Sequence, residues 1–158
     1  MAQFRWMATL KSQRLFLFGL LFAALLSMQK AWALDYRSVS EVAPAFDAPS
    51  AKAKPLFVVH AGTPVELVVS LEGWSKVRDS KGDLVWMEKK YLAERRTVIV
   101  RVDRAQVRAT GDDKAALVFE AERDVVLELL EAAPGGWIKV RHRDGQGGFL
   151  KTLQVWGM

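Results

Sequence analysis

The chain has 158 residues, 51% of them apolar and 26% charged, with a formal net charge of +5 and no cysteine. That length allows one average domain or two small ones, and the composition excludes a disordered or collagen-like polymer. The absence of any thiol also excludes a disulfide scaffold, an iron–sulfur cluster, a zinc ribbon, a cysteine nucleophile and an acylated-cysteine anchor.

In chain order the first feature is a basic stretch, Arg5, Lys11 and Arg14, ahead of residues 15–28, an apolar run of 14 residues broken only by Gly19 and Ser27. A membrane-spanning helix needs about 20 apolar residues, whereas a secretory signal carries about 7 to 15. Ala31-Trp32-Ala33 then places small residues where signal peptidase cuts. Residues 1–33 are therefore expected to be a signal peptide cleaved after Ala33, placing the protein in the periplasm. An uncleaved segment would instead tie the same domains to the membrane. Cleavage removes four basic residues (Arg5, Lys11, Arg14 and Lys30) and no acidic one, leaving 125 residues with 19 basic and 18 acidic side chains, a net charge of +1. A protein that grips nucleic acid needs a basic surplus to neutralise phosphates, so no nucleic-acid partner is expected.

The remainder has the punctuation of strands: short Val, Leu and aromatic runs are broken every few residues by Gly, Pro, Asp or Ser. Residues 43–55, with their prolines, are expected to form a long ordered loop. Ser80-Lys81-Gly82 and Arg143-Asp144-Gly145 carry turn chemistry and should each close a hairpin. Residues 97–102 are β-branched and should open a second unit as a strand. Residues 114–130 are rich in Ala and Glu but sustain no helical period.

An internal repeat organises these elements. Gly73-Trp74-Ser75-Lys76-Val77-Arg78 recurs 63 residues later as Gly136-Trp137-Ile138-Lys139-Val140-Arg141, changed only at its third position. Upstream, residues 65–69 match residues 125–129 at an offset of 60, which implies three extra residues in the second copy, around residues 132–135. Residues 34–92 and 93–158 are thus two homologous units. Each has about 60 residues and short strands, which points to a small barrel or sandwich.

The residues resemble the bacterial SH3 family. In the first unit the resemblance is carried by Gly62-Thr63-Pro64-Val65-Glu66-Leu67, Gly73 to Arg78, Gly82, Val85-Trp86-Met87 and Tyr91-Leu92. In the second it is carried by Val107-Arg108, Gly136 to Arg141 and Asp144 to Leu150. It implies an all-β chain of two tandem SH3-like small β-barrels following the signal peptide. It also implies an exported, non-catalytic binding role, since such modules are similar to the cell-wall-targeting parts of peptidoglycan hydrolases. By similarity to SH3 modules that bind polyproline, Phe46, Trp74 and Tyr91 fall at groove positions. Glu88-Lys89-Lys90 stands where the groove proline would precede Tyr91, and Gln154 stands where the second tyrosine would be, which argues against polyproline binding.

Residues two apart on a strand share a face, so Trp74, Lys76 and Arg78 point one way and Ser75 and Val77 the other. Trp137, Lys139 and Arg141 repeat that arrangement, so both tryptophans are expected on a charged face away from the core. Such a tryptophan could stack on a sugar or peptide while a cation meets a carboxylate. Alternatively the rings pack across the hairpin beneath the Lys and Arg stems. Trp86 and Phe149 are expected to pack at the core edge, with Met87 and Leu150 turned inward.

Other chemistry is sparse. His60 and His142 lack a second His or a carboxylate at metal-ligand spacing, so neither a metal nor a cofactor is expected. No motif assembles a triad around them. Glu120, Glu122, Asp124, Glu128 and Glu131 are taken as a solvated acidic face. The expectation is therefore a non-enzyme that contacts peptidoglycan or another envelope component. The alternatives are a periplasmic protein partner and a cell-wall hydrolase. Domains this small are marginal without staples, so the two units should dock on each other across residues 93–96.

Overall fold

The computed structural model describes residues 34–158, so the predicted signal peptide and its cleavage after Ala33 lie outside the described residues. The first sheet contains β1 (Tyr36–Val39), β2 (Ala43–Phe46), β3 (Pro55–Val59), β4 (Pro64–Ser70), β5 (Trp74–Arg78), β6 (Leu84–Glu88) and β7 (Leu92–Ala93). The second contains β8 (Thr97–Val100), β9 (Arg104–Arg108), β10 (Leu117–Glu122), β11 (Val126–Ala133), β12 (Trp137–Arg141), β13 (Gly147–Lys151) and β14 (Val155–Trp156). Both are antiparallel and share one strand order, β3-β2-β6-β5-β4-β1-β7 and β10-β9-β13-β12-β11-β8-β14. The described residues are thus all-β, two tandem SH3-like barrels, as the repeat and the resemblance implied.

Alternation explains how each sheet makes a core. In β5 and β6 the inward residues Ser75, Val77, Val85 and Met87 are at most 3% exposed. Val39 from β1 and Ala43 and Ala45 from β2 join the same cluster, although β1 and β2 lie toward opposite ends of the strand order. Only a curled sheet brings them together, and the small alanines permit the close approach. Val98, Val100, Ala105, Val107, Leu127, Ile138, Val140 and Leu150 repeat this in the second barrel. The two hairpin turns form as expected. Asp79 Oδ1 accepts from the backbone N–H of Lys81 and Asp83, both at 2.9 Å, and Gly82 takes a φ of 95° that a side chain would resist.

Two expectations need correction. Residues 43–55 are not one loop, because Ala43–Phe46 is a strand and only residues 47–54 turn back to β3. Pro44 is tolerated because β2 meets β6 only at Phe46 opposite Trp86, leaving most of that side of β2 without a ladder to disrupt. The offset between copies is also different. Glu66 pairs with Arg78 and Glu128 with Arg141, so β4 and β11 are related by 62 residues, against 63 for β5 and β12. The second copy therefore carries one extra residue, not three, in the turn through Pro134–Gly136 before Trp137. A slip of two residues leaves every side chain on its proper face, so alternation alone could not detect it.

Residues Leu34–Met158 cluster as one unit because the barrels dock. The Tyr36 ring meets Trp156 edge-on, centroids 5.2 Å apart, and Arg96 lies over Tyr36 at 5.4 Å. Thr97 Oγ1 donates to the Gly62 carbonyl at 2.7 Å, Arg96 Nη2 donates to the Gly157 carbonyl at 2.9 Å, and Ser38 Oγ donates to the Arg95 carbonyl. Burial of the Tyr36 phenol, the largest influence on it, raises its pKa above the ordinary 10.0.

Candidate functional site

On the first barrel, the outer side of β5 presents Trp74, Lys76 and Arg78 between the buried Ser75 and Val77, as the alternation predicted. Strand β6 lies alongside and sets Glu88 opposite Trp74, Trp86 opposite Lys76 and Leu84 opposite Arg78. Phe46 reaches the same face from β2 and meets Trp74 edge-on, with centroids 5.5 Å apart and planes at 82°. The quadrupoles of two aromatic rings favour that geometry. Phe46 is the more enclosed member of the pair, at 9% exposure, while Trp74 and Trp86 are half-buried. Lys76 Nζ stands 5.9 Å from the Trp86 centroid, at the limit of cation–π attraction.

The remaining predicted residues of this barrel have local partners. Arg78 Nη1 donates to both carboxylate oxygens of Glu66, at 2.9 and 3.2 Å, so its charge is committed within the sheet. Tyr91 packs against the barrel core with Lys90 Nζ 4.8 Å from its ring centroid. Lys90 also pairs with Glu88 at 2.8 Å, and that hydrogen bond raises the lysine pKa. Phe46, Trp74, Lys76 and, beyond the predicted set, Trp86 therefore form one contiguous aromatic and cationic patch.

The second barrel does not repeat this patch. Trp137 is only 6% exposed, so of the two alternatives the covered ring holds for this copy and the open one does not. Two features cover it. A Cβ on Gly111 would lie 3.2 Å from Trp137 Cγ, so the backbone of the β9–β10 loop rests on the indole. Lys151, held by Asp113 of that loop at 2.5 Å, stands 5.3 Å from the ring centroid. In the first barrel Glu88 occupies the position of Lys151, and Lys90 draws it away. The counterpart of Phe46 is Arg108, whose guanidinium serves the Ala115 carbonyl at 2.7 Å. Lys139 lies 6.0 Å from the Phe149 ring and 3.4 Å from Glu131.

Trp86 and Phe149 thus lie on the outer faces beneath lysines, while Met87 and Leu150 are fully buried as expected. Glu128 does not belong to a solvated acidic face. Its side chain is only 18% exposed, with Oε1 bound by Arg95 at 3.0 Å and Oε2 by Arg141 at 2.7 Å. The Arg141 hydrogen bond is the main cause of its lowered pKa. The sequence held a signal for this pair, since Glu66 and Arg78 recur as Glu128 and Arg141, but the 60-residue offset hid it. His142 Nδ1 lies 3.0 Å from Asp144 Oδ2, and its ring tilts against Phe119.

The bacterial SH3 domain family matches the chain twice, over residues 39–94 and 101–157. No curated protein matches it in sequence. Among solved structures, NlpC2 from Trichomonas vaginalis is similar at a TM-score of 0.37 and 12% identity, over 78% of this chain and 48% of that one. NlpC1 from the same organism is similar at 0.37 and 13%, over 81% and 47%. An NlpC/P60 family protein from Bacillus cereus is similar at 0.36 and 16%, over 77% and 55%. The chain spans about half the length of these structures.

Proposed function

Since the chain belongs to the bacterial SH3 domain family, we propose that it is an exported, non-catalytic binding protein that contacts peptidoglycan through the open face of its first barrel. The observation carrying this reading is the asymmetry of the copies: Trp74 and Trp86 are half-exposed beside the enclosed Phe46, while their counterpart Trp137 is sealed by a loop and a lysine. Half-buried indoles present a rigid apolar surface at little cost in ordering, suited to the C–H face of a sugar ring. Lys76 at the rim offers a cation to a stem-peptide carboxylate, whereas Arg78 is already held by Glu66.

The test is co-sedimentation of the purified protein with protein-free sacculi, beside a Trp74→Ala, Trp86→Ala double variant whose fold is checked by circular dichroism. We expect the wild type to pellet and the double variant to remain in solution. Equal pelleting would remove this face from the site. A wild type that stays in the supernatant at every salt concentration would refute wall binding.

One observation favours a protein partner as the second reading. The outermost strand β3 keeps Leu56, Phe57 and Val58 at 45, 41 and 58% exposure, on a sheet edge open to strand addition. Retention by a periplasmic protein bait, with none on sacculi, would select that reading.

A further inference from the structure

Between the two barrels lies an open cleft of about 570 Å³, with Ala61 and Gly62 from the first barrel on one side and Arg141, His142 and Arg143 from the second on the other. Arg95, in the connection between the barrels, lines it as well and reaches Glu128 at 3.0 Å. We propose that this cleft binds the free carboxylate of a short peptide. The site is separate from the Trp74 face and does not depend on that reading.

The two copies differ in how their Glu–Arg pairs are balanced. In the first barrel the Glu66–Arg78 pair is one to one, a single guanidinium nitrogen bridging both carboxylate oxygens. In the second, Glu128 is shared by two arginines, Arg95 on one oxygen and Arg141 on the other. One carboxylate cannot neutralise two guanidinium ions, and most N–H groups of Arg95 remain uncommitted. By strand register, Arg95 occupies the position of Leu34 in the first copy, and His142 and Arg143 those of Asp79 and Ser80. Two arginines and a histidine have thus replaced a neutral, an acidic and a polar residue where the second barrel borders the cleft. Arg143 has no ion-pair partner among the described residues and is exposed.

The charges in the cleft give it a polarity. Arg95, Arg141 and Arg143 stand against Glu128 and Asp124, leaving one net positive charge before His142 is counted. Asp124, held at a φ of 67°, is an acceptor for a backbone or terminal N–H of the same ligand. The planar guanidinium fork matches a carboxylate, and an excess of forks over internal carboxylates is what a carboxylate receptor requires. Ala61, Gly62 and Ala93 line the cleft with small side chains, which suits an extended backbone and short side chains.

The test uses amide chemical-shift titration of the purified protein with two probes, acetyl-trialanine carrying a free C-terminal carboxylate and its C-terminal amide. We expect the acid to bind with a Kd of about 1 mM or tighter, and the amide about tenfold more weakly. Shifts should centre on Gly62, Ala93 and Thr97. Arg143→Gln should weaken the acid about tenfold with no loss of melting temperature, because the side chain is exposed and unpaired. Arg95→Gln should weaken the acid by a similar factor, while Trp74→Ala should leave peptide binding intact. Equal affinity for acid and amide, no binding at about 1 mM, or wild-type affinity in both arginine variants would each overturn the proposal. Loss of sacculus binding in the tryptophan variant with retention of peptide binding would show the two sites to be distinct.

Discussion

Replacing Gly157 with alanine tests whether the barrels are held by the contact the structure shows. Gly157 has a φ of 108°, and a Cβ there would lie 2.9 Å from the Thr97 carbonyl oxygen and 3.0 Å from Pro64 Cβ. The backbone conformation alone costs a side chain about 1–2 kcal/mol. The contacts add about 1–3 kcal/mol, because Thr97 O and Pro64 belong to packed backbone that cannot swing aside. Gly82 is the control: its φ is 95°, but nothing lies within 4 Å of its Cβ position, so Gly82→Ala carries only the conformational cost. The difference of about 1–3 kcal/mol reports the contacts at Gly157, one with Thr97 of its own barrel and one with Pro64 of the first. Any shift of Gly157 also disturbs its carbonyl bond from Arg96 and the neighbouring Trp156–Tyr36 pair. Urea unfolding followed by tryptophan fluorescence gives the free-energy loss of both variants, and in a thermal melt each kcal/mol should lower Tm by roughly 2–8 °C in a chain of this size. Equal losses in the two variants would show that the C-terminal end moves aside freely and that this contact does not hold the barrels together.

Three further outcomes follow from named environments. The Ser75 hydroxyl is fully buried without a hydrogen-bond partner among the described residues, and Ile138 fills the same position in the second barrel, so Ser75→Ala should stabilise the protein by about 1 kcal/mol. A lower calorimetric melting temperature would contradict this. The Glu128 carboxyl is held below its ordinary pKa of 4.5, chiefly by Arg141, so its contribution is complete above that pH in the unfolded chain and is lost as pH falls through the lower folded value. Glu128→Gln should therefore lower stability at neutral pH and weaken its decline on acidification; an unchanged acid limb would refute the assignment. Trp137→Ala, which empties a covered site, should cost about 3–5 kcal/mol, whereas half-buried Trp74→Ala should cost under about 2 kcal/mol. Equal costs in denaturant melts would remove the distinction between sealed and open faces.

The fold was legible because its determinants are local. Alternation set Ser75 and Val77 against Trp74, Lys76 and Arg78, and turn chemistry marked Gly82 and Gly145. The repeat supplied the rest, since one barrel that buries its face implies a second. The site was legible only in part, because accessibility is decided by residues distant in sequence. Nothing in Gly136 to Arg141 indicates that the loop around Gly111 lies on Trp137, or that Asp113 holds Lys151 beside it. The prolines of residues 43–55 suppressed β2 because proline is disfavoured in most strands, yet here one side of that strand is largely unpaired.

Docking explains why differences between two copies of one fold are not drift. Strand register makes Ala93 and Trp156 equivalent, each in the last short strand and each paired with the first strand of its barrel. Their sizes are opposite because their neighbours are. Trp156 turns its ring onto Tyr36 of the other barrel, where a small residue would leave a gap at a buried phenol. Ala93 borders the cleft, where a large ring would take up space beside Arg95. The same reasoning separates Arg95 from Leu34. In each case the residue that departs from its counterpart is the one facing the other barrel or the space between them. These differences make Ala93→Trp a steric test of the cleft: the variant should keep both barrel cores and the Trp74 face while losing the carboxylate peptide.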